Sequence, residues 1–248
     1  MGHSMKHLVK LTAGISLLAG NFLVQGQFRA PGGLPPGFHH ALLDVLAGGP
    51  SFYGRAKIQM SNGPDKEPTT VSCNIAVLSG NMRLEVDSFE TGSNLPPAEV
   101  AQLKHMHSIS ILRPDKNRMY MVFPDFRSVV EIAYSRSTGT DPVPSPKINK
   151  TPLGNEPVGD QPCDKSQWNV TEINGEHYDI TVWAATNSGN FPIQIKVGAP
   201  PALVEFQDLH LEPPNSSLFE PPPGYTKYEG IQEIIQREAE NAQKTNAP

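Results

Sequence analysis

The residues that could do chemistry in this chain are few and poorly grouped. His105-Met106-His107 sets two histidines at i and i+2, on one side of an extended strand, as two imidazoles sharing a metal would be. No third ligand follows at a telling distance, so the pair reads as surface histidines at a helix end and strand start, and His39-His40 is weaker still. Asp87 and Glu90 could share acid–base work. They lie at a strand end, where solvating that end is the plainer role. Serine, histidine and aspartate are all present without a Gly-x-Ser-x-Gly elbow, and Ser79-Gly80-Asn81 is a turn. No glycine-rich phosphate loop occurs. The sequence therefore points away from an enzyme and implies neither cofactor nor metal. Asn169-Val170-Thr171 and Asn215-Ser216-Ser217 match the glycosylation pattern, which is short enough to arise by chance.

Two cysteines, Cys73 and Cys163, remain. In an oxidising compartment such a pair is expected to form one disulfide. It would close a loop of about 90 residues and stabilise the fold by roughly 4 kcal/mol through the unfolded state. The rival reading is a buried free thiol at Cys73, within the apolar alternation Val71, Cys73, Ile75, Val77.

Period-two alternation marks the elements that would position any site. In 54–60, Gly54, Ala56, Ile58 and Met60 alternate with Arg55, Lys57 and Gln59; in 82–87, Met82, Leu84 and Val86 alternate with Arg83, Glu85 and Asp87. Further strands are expected at 69–78, 107–113, 118–123, 126–134, 166–173, 177–185, 191–197 and 202–211. Short helices are expected over 38–46 and from Pro96 to about Met106, with a polar helix or tail over 230–244. Residues 135–152, rich in Ser, Thr and Pro, read as a long exposed loop. The fold class is mostly β: a single curved antiparallel sheet with a few short helices. Its positive functional signal is an apolar surplus on the sheet's concave face, from Ile58, Met60, Leu84, Val86, Met119, Met121, Phe123, Ile193, Ile195 and Phe206. These residues either fill an ordinary core or line an apolar pocket.

Three consecutive prolines, Pro221 to Pro223, bias the backbone from Glu220 onward to an extended form. The segment from Phe219 to Tyr225 should cross the surface as a stiff strap anchored by its two aromatic ends.

Lys6, His7 and Lys10, followed by an apolar run from Leu11 to Val24, read as an export signal cleaved between Gly26 and Gln27. The run is too short and interrupted to span a bilayer, and no cysteine follows it to carry a lipid. The expected location is periplasmic or secreted, with no stable membrane insertion once the signal is gone. Of 248 residues, 222 would then remain, and losing Lys6 and Lys10 takes the net charge from −5 to −7. An acidic chain without a basic run is a poor nucleic-acid binder. Twenty-five prolines and 21 glycines suit short strands and many turns. The organisation expected is a signal peptide (1–26), a leader with a short helix (27–51), one β domain (52–228) and a polar C-terminal helix or tail (229–248).

The segment Ile111-Leu112-Arg113-Pro114-Asp115-Lys116-Asn117-Arg118-Met119-Tyr120-Met121-Val122-Phe123-Pro124 resembles the LolA-like outer-membrane lipoprotein-sorting superfamily, in particular its exported relatives. Gly154-Asn155-Glu156-Pro157-Val158-Gly159 is similar to the opening of that family's second half. Phe219-Glu220-Pro221-Pro222-Pro223-Gly224-Tyr225 is similar to its closing element. With Val182-Trp183 and Phe191-Pro192-Ile193 the likeness covers about residues 52–228. It implies a half-barrel of antiparallel strands lidded by short helices, whose concave apolar face holds acyl chains. The function expected is binding of an apolar ligand, a lipid or lipoprotein acyl chains. The alternative is a cell-envelope structural or protein-interaction module with a packed core and no ligand.

Overall fold

Strands built on apolar alternation come together as one sheet of twelve: β1 (Phe52–Met60), β2 (Thr69–Leu78), β3 (Asn81–Glu90), β4 (Ile109–Arg113), β5 (Arg118–Phe123), β6 (Ser128–Ala133), β7 (Lys147–Asn155), β8 (Cys163–Thr171), β9 (His177–Ala185), β10 (Phe191–Val197), β11 (Ala202–His210) and β12 (Thr226–Tyr228). This computed structural model describes residues 41–240 except 44, 47, 62, 64, 66, 91–106, 135–146, 172–174, 176, 199–200, 235 and 238–239. The expected signal peptide, the leader and the helix from Pro96 to Met106 lie outside the described residues.

Across the sheet the strand order is β12-β6-β5-β4-β3-β2-β1-β11-β10-β9-β8-β7. The chain meanders outward from β1 to β6, restarts at the far edge with β7, and returns inward until β11 pairs with β1. All ladders are antiparallel except that of β12, which runs parallel to β6 with Thr226 opposite Ser128. The sheet does not close, so β12 and β7 are its two edges.

Two turns of one design shape the β4–β6 meander. Pro114-Asp115-Lys116 and Pro124-Asp125-Phe126 are each a 3-10 turn, ended by a left-handed residue, Asn117 (φ 51°) or Arg127 (φ 47°), whose N–H returns to the proline carbonyl. Asparagine tolerates that conformation, while arginine adopts it at some cost. Gly54 sits at the β1–β11 bulge, where a Cβ would meet the Asp208 carbonyl at 3.0 Å.

The strands at 69–78, 118–123, 177–185 and 191–197 have the bounds that alternation predicts. Residues 147–155 correct the reading of 135–152 as loop: they form the edge strand β7, every residue of which except Ile148 is exposed. A strand with no buried face shows no period-two signal, and Pro152 with Gly154 disguises it further.

One face of the sheet, here called inner, carries a continuous apolar cluster from β3 across β1 to β9, including Val71, Ile75, Leu84, Ile180, Ile195 and Val204. Residues 41–43 and 45–46 are helical and bury Ala41, Leu42, Leu43, Val45 and Leu46 in that cluster. Each fully buried leucine contributes about 1.5–3 kcal/mol. At the β5–β6 end, Met121, Phe123 and Val130 pack with Ile234 of the helical segment that begins at Ile231. The opposite, outer face has its own smaller cluster, in which Ala76, Ile109, Ile111, Tyr120, Val122 and Val129 are covered by Phe219 and Tyr225.

The expected Cys73–Cys163 disulfide is not formed: both are buried free thiols. Cys73 belongs to the inner cluster and Cys163 to a separate group with Trp183 and Ala185. Their strands, β2 and β8, are kept apart in the sheet by β1, β11, β10 and β9. An oxidising compartment supplies no proximity. Burial pushes the Cys73 thiol up to about 12, as for a small inert hydrophobe.

Candidate functional site

Backbone pleating places nine of the ten apolar positions singled out in the sequence on the inner face, through cross-strand partners such as Ala56 with Phe206, Ile58 with Val204, and Ile195 with Val204. Ile193 lies in the irregularity between Pro192 and Gln194 and packs against both the inner cluster and the group around Trp183. They do not share one environment. Ile58, Leu84, Met121, Phe123 and Ile195 are buried, at 3% exposure or less. Met60, Val86, Met119, Ile193 and Phe206 keep part of their surface open while packing on the cluster. Phe206 joins Phe52 and Phe191 in edge-to-face contacts, with ring centroids 4.8–6.0 Å apart. Ile148 and Trp168, at the β7–β8 end, belong to the same half-open margin. The sequence reading passed over both because their strands show little alternation.

Chemistry on the outer face is polar. A groove of about 610 Å³ runs between β1–β3 and residues 208–218, lined among others by Tyr53, Arg83, Glu85, His210 and Glu212. Tyr53 stacks on His210 at 4.6 Å and donates to Glu212 Oε1 at 2.7 Å, and this bond raises its phenol above the ordinary value. Arg83 donates to Glu85 Oε2 at 2.7 Å and to the Leu218 carbonyl at 3.2 Å. His107 Nε2 stands 2.9 Å from Glu85 Oε1. Burial by itself would raise the Glu85 carboxyl, but the bonds from Arg83 and His107 outweigh it and hold it low. His107 is thus engaged with a carboxylate, and His105 lies outside the described residues. Among the described residues no three His, Cys, Asp or Glu side chains gather to hold a metal. No helix among them is long and apolar enough to cross a membrane.

The strap is tied down beside this groove. Arg113 donates to Asp115 Oδ1 and Oδ2 at 2.8 and 2.7 Å, to the Phe219 carbonyl at 3.0 Å, and to Glu220. Lys116 donates to Glu220 Oε1 at 2.7 Å. Phe219 is 2% exposed, so the strap anchors the sheet as its sequence suggests.

No protein-family model matches the chain, and no curated protein matches it in sequence. Solved structures with a similar fold include a conserved protein from Thermus thermophilus (10% identity, TM-score 0.43, covering 77% of this chain and 98% of that one). Others are a LolA superfamily protein from Nitrosomonas europaea (12%, TM-score 0.37, 73% and 96%) and the lipoprotein LppX from Mycobacterium tuberculosis (12%, TM-score 0.39, 71% and 98%). At these identities and TM-scores the likeness is distant and carries nothing about the ligand.

Proposed function

We propose that this is an exported, non-catalytic protein that holds an apolar ligand, a lipid or lipoprotein acyl chains, on the inner face of its open sheet. The observation that supports this most is the half-open apolar margin of the inner cluster, at Met60, Val86, Met119, Ile148, Trp168, Ile193 and Phe206. A core built only for stability gains most when such side chains are fully covered. Methionine, with its pliable thioether, suits guests of variable shape. The helical residues 41–43 and 45–46 act as a cover whose displacement extends the margin into the centre of the sheet.

A second reading is a cell-envelope interaction module with a filled core. It is favoured by Leu42, Leu43 and Leu46, which already occupy the centre of the cluster at 2% exposure or less. Mass spectrometry of organic extracts from the purified protein separates the two. A carrier co-purifies with acyl-chain lipids, or takes them up when they are supplied. A filled module yields an empty extract and binds none.

A further inference from the structure

Alternation through the ladders leaves the inner face nearly free of charge. Among the described strands Lys150 is the one cationic side chain at an inner-face position, put there by its pairing with Trp168, which pairs in turn with Ile180. Its Nζ stands 3.5 Å from the centroid of the Trp168 ring. Trp168 Nε1 donates to Ser166 Oγ at 2.8 Å, which fixes the plane of the indole. Lys150 is an exposed residue, yet partial desolvation lowers its ammonium from the ordinary value, and no neighbouring carboxylate among the described residues opposes that shift. The other lysines around this end are differently placed. Lys165 is bonded to Glu156 at 2.7 Å on the outer face, and Lys147 alternates to the outer side of β7.

A cation resting on an indole is held more weakly than one in a charge-assisted hydrogen bond to a carboxylate or phosphate. From Lys150 one row of registered partners runs across the sheet through Trp168, Ile180, Val197, Ala202 and Met60. That row spans five strand spacings, roughly 24 Å at about 4.8 Å each. It is apolar along its length and charged at one end only. Its middle members Ile180, Val197 and Ala202 are buried at 6% exposure or less, in one cluster with the helical Leu42, Leu43 and Leu46, so a chain lying along the row takes the place of that cover.

We propose that Lys150 is the headgroup site of the inner face, taking the carboxylate or phosphate of an anionic amphiphile whose chain lies along the row from Trp168 to Met60. This rests on the apolar-ligand function proposed above and adds to it the charge and polarity of the ligand. The Trp168 ring serves as the platform where chain meets headgroup.

The test compares oleate with oleyl alcohol, which has the same chain and no charge, by titration into the purified full chain and its K150M and K150R variants, each checked for unchanged circular dichroism. Oleate should bind the unaltered protein about tenfold more tightly than the alcohol at low salt. In K150M that ratio should fall to about one while the alcohol's affinity stays put, and K150R should keep the preference. Acetate, an anion without a chain, should not compete. A ratio unchanged in K150M overturns the headgroup site and leaves the apolar-ligand function standing. Acetate competing as well as oleate overturns it in favour of a free-anion site. Binding of neither amphiphile overturns the apolar-ligand function and this site with it.

Discussion

The two ends of the sheet are built to opposite plans. At the β4–β6 end both faces are covered. Ile109 to Leu112 and Tyr120 to Phe123 are buried without a break, with Phe219 and Tyr225 on the outer face and Ile231 and Ile234 on the inner. At the β7–β8 end, β7 is exposed along nearly all its length, and its edge carries Lys147, Lys150 and Pro152, residues that discourage strand addition. One end fixes the fold while the other leaves apolar surface within reach of solvent. Stability and ligand access are thus divided along the sheet, and mutations at the two ends should have separable effects.

The strap gives the largest expected contrast. Phe219→Ala removes a fully buried ring from the outer cluster and should destabilise the protein by about 3–5 kcal/mol in a denaturant titration. Equal stability with lost apolar-ligand uptake would move the strap into the binding site. Next comes Arg113→Ala, which breaks the bonds to Asp115, Glu220 and the Phe219 carbonyl and should cost about 1–2 kcal/mol at neutral pH. That difference should shrink in acid. Asp115, bonded first by Arg113, and Glu220, bonded first by Lys116, have carboxyls held below their ordinary values. Groups depressed in this way contribute stability above the ordinary carboxylate range and lose it as pH falls through their folded values. Both are partly exposed, so the acid-sensitive share is small. Thermal melts of the two proteins between neutral pH and pH 3 would show it, and a gap that widens in acid would refute the clamp.

Leu153→Ala should change stability by no more than about 0.5 kcal/mol, because Leu153 is 52% exposed on β7. A loss comparable to that of Phe219→Ala would erase the contrast between the ends. The smallest expected effect is zero. With Cys73 and Cys163 both free, reductant should leave the melting temperature unchanged, and two thiols should titrate after denaturation without reduction.

What could be read in advance follows the same division. Where one face of a strand is buried and the other wet, as in Thr69–Leu78 or His177–Ala185, the pattern announces both the strand and its inward side. The inward side of Ile58, Leu84 and Ile195 is legible for that reason. Nothing is buried along most of β7, so its sequence carries no such mark and Lys150 goes unmarked with it; Trp168 lies on β8, whose middle is half-buried on both faces and so shows no inward side. β12 is three residues long and exists because the strap delivers it beside β6, a tertiary event. The outer groove joins β1–β3 to residues more than a hundred positions away, a proximity that alternation cannot announce. The cysteines failed in the same way, since compartment chemistry says nothing about which strands are neighbours.

The two tryptophans offer the most direct test, because they lie on opposite faces. Trp168 packs at the inner margin, whereas Trp183 pairs with Gln194 and Lys165, alternates with the inner Val182, and donates to Glu156 Oε1 at 3.0 Å. Titrating a bromine-labelled fatty acid into Trp183→Phe, where only Trp168 emits, should quench the fluorescence saturably. The same titration into Trp168→Phe, where only Trp183 emits, should leave it nearly unchanged. Equal quenching of both, or none of Trp168, would contradict an apolar ligand on the inner face.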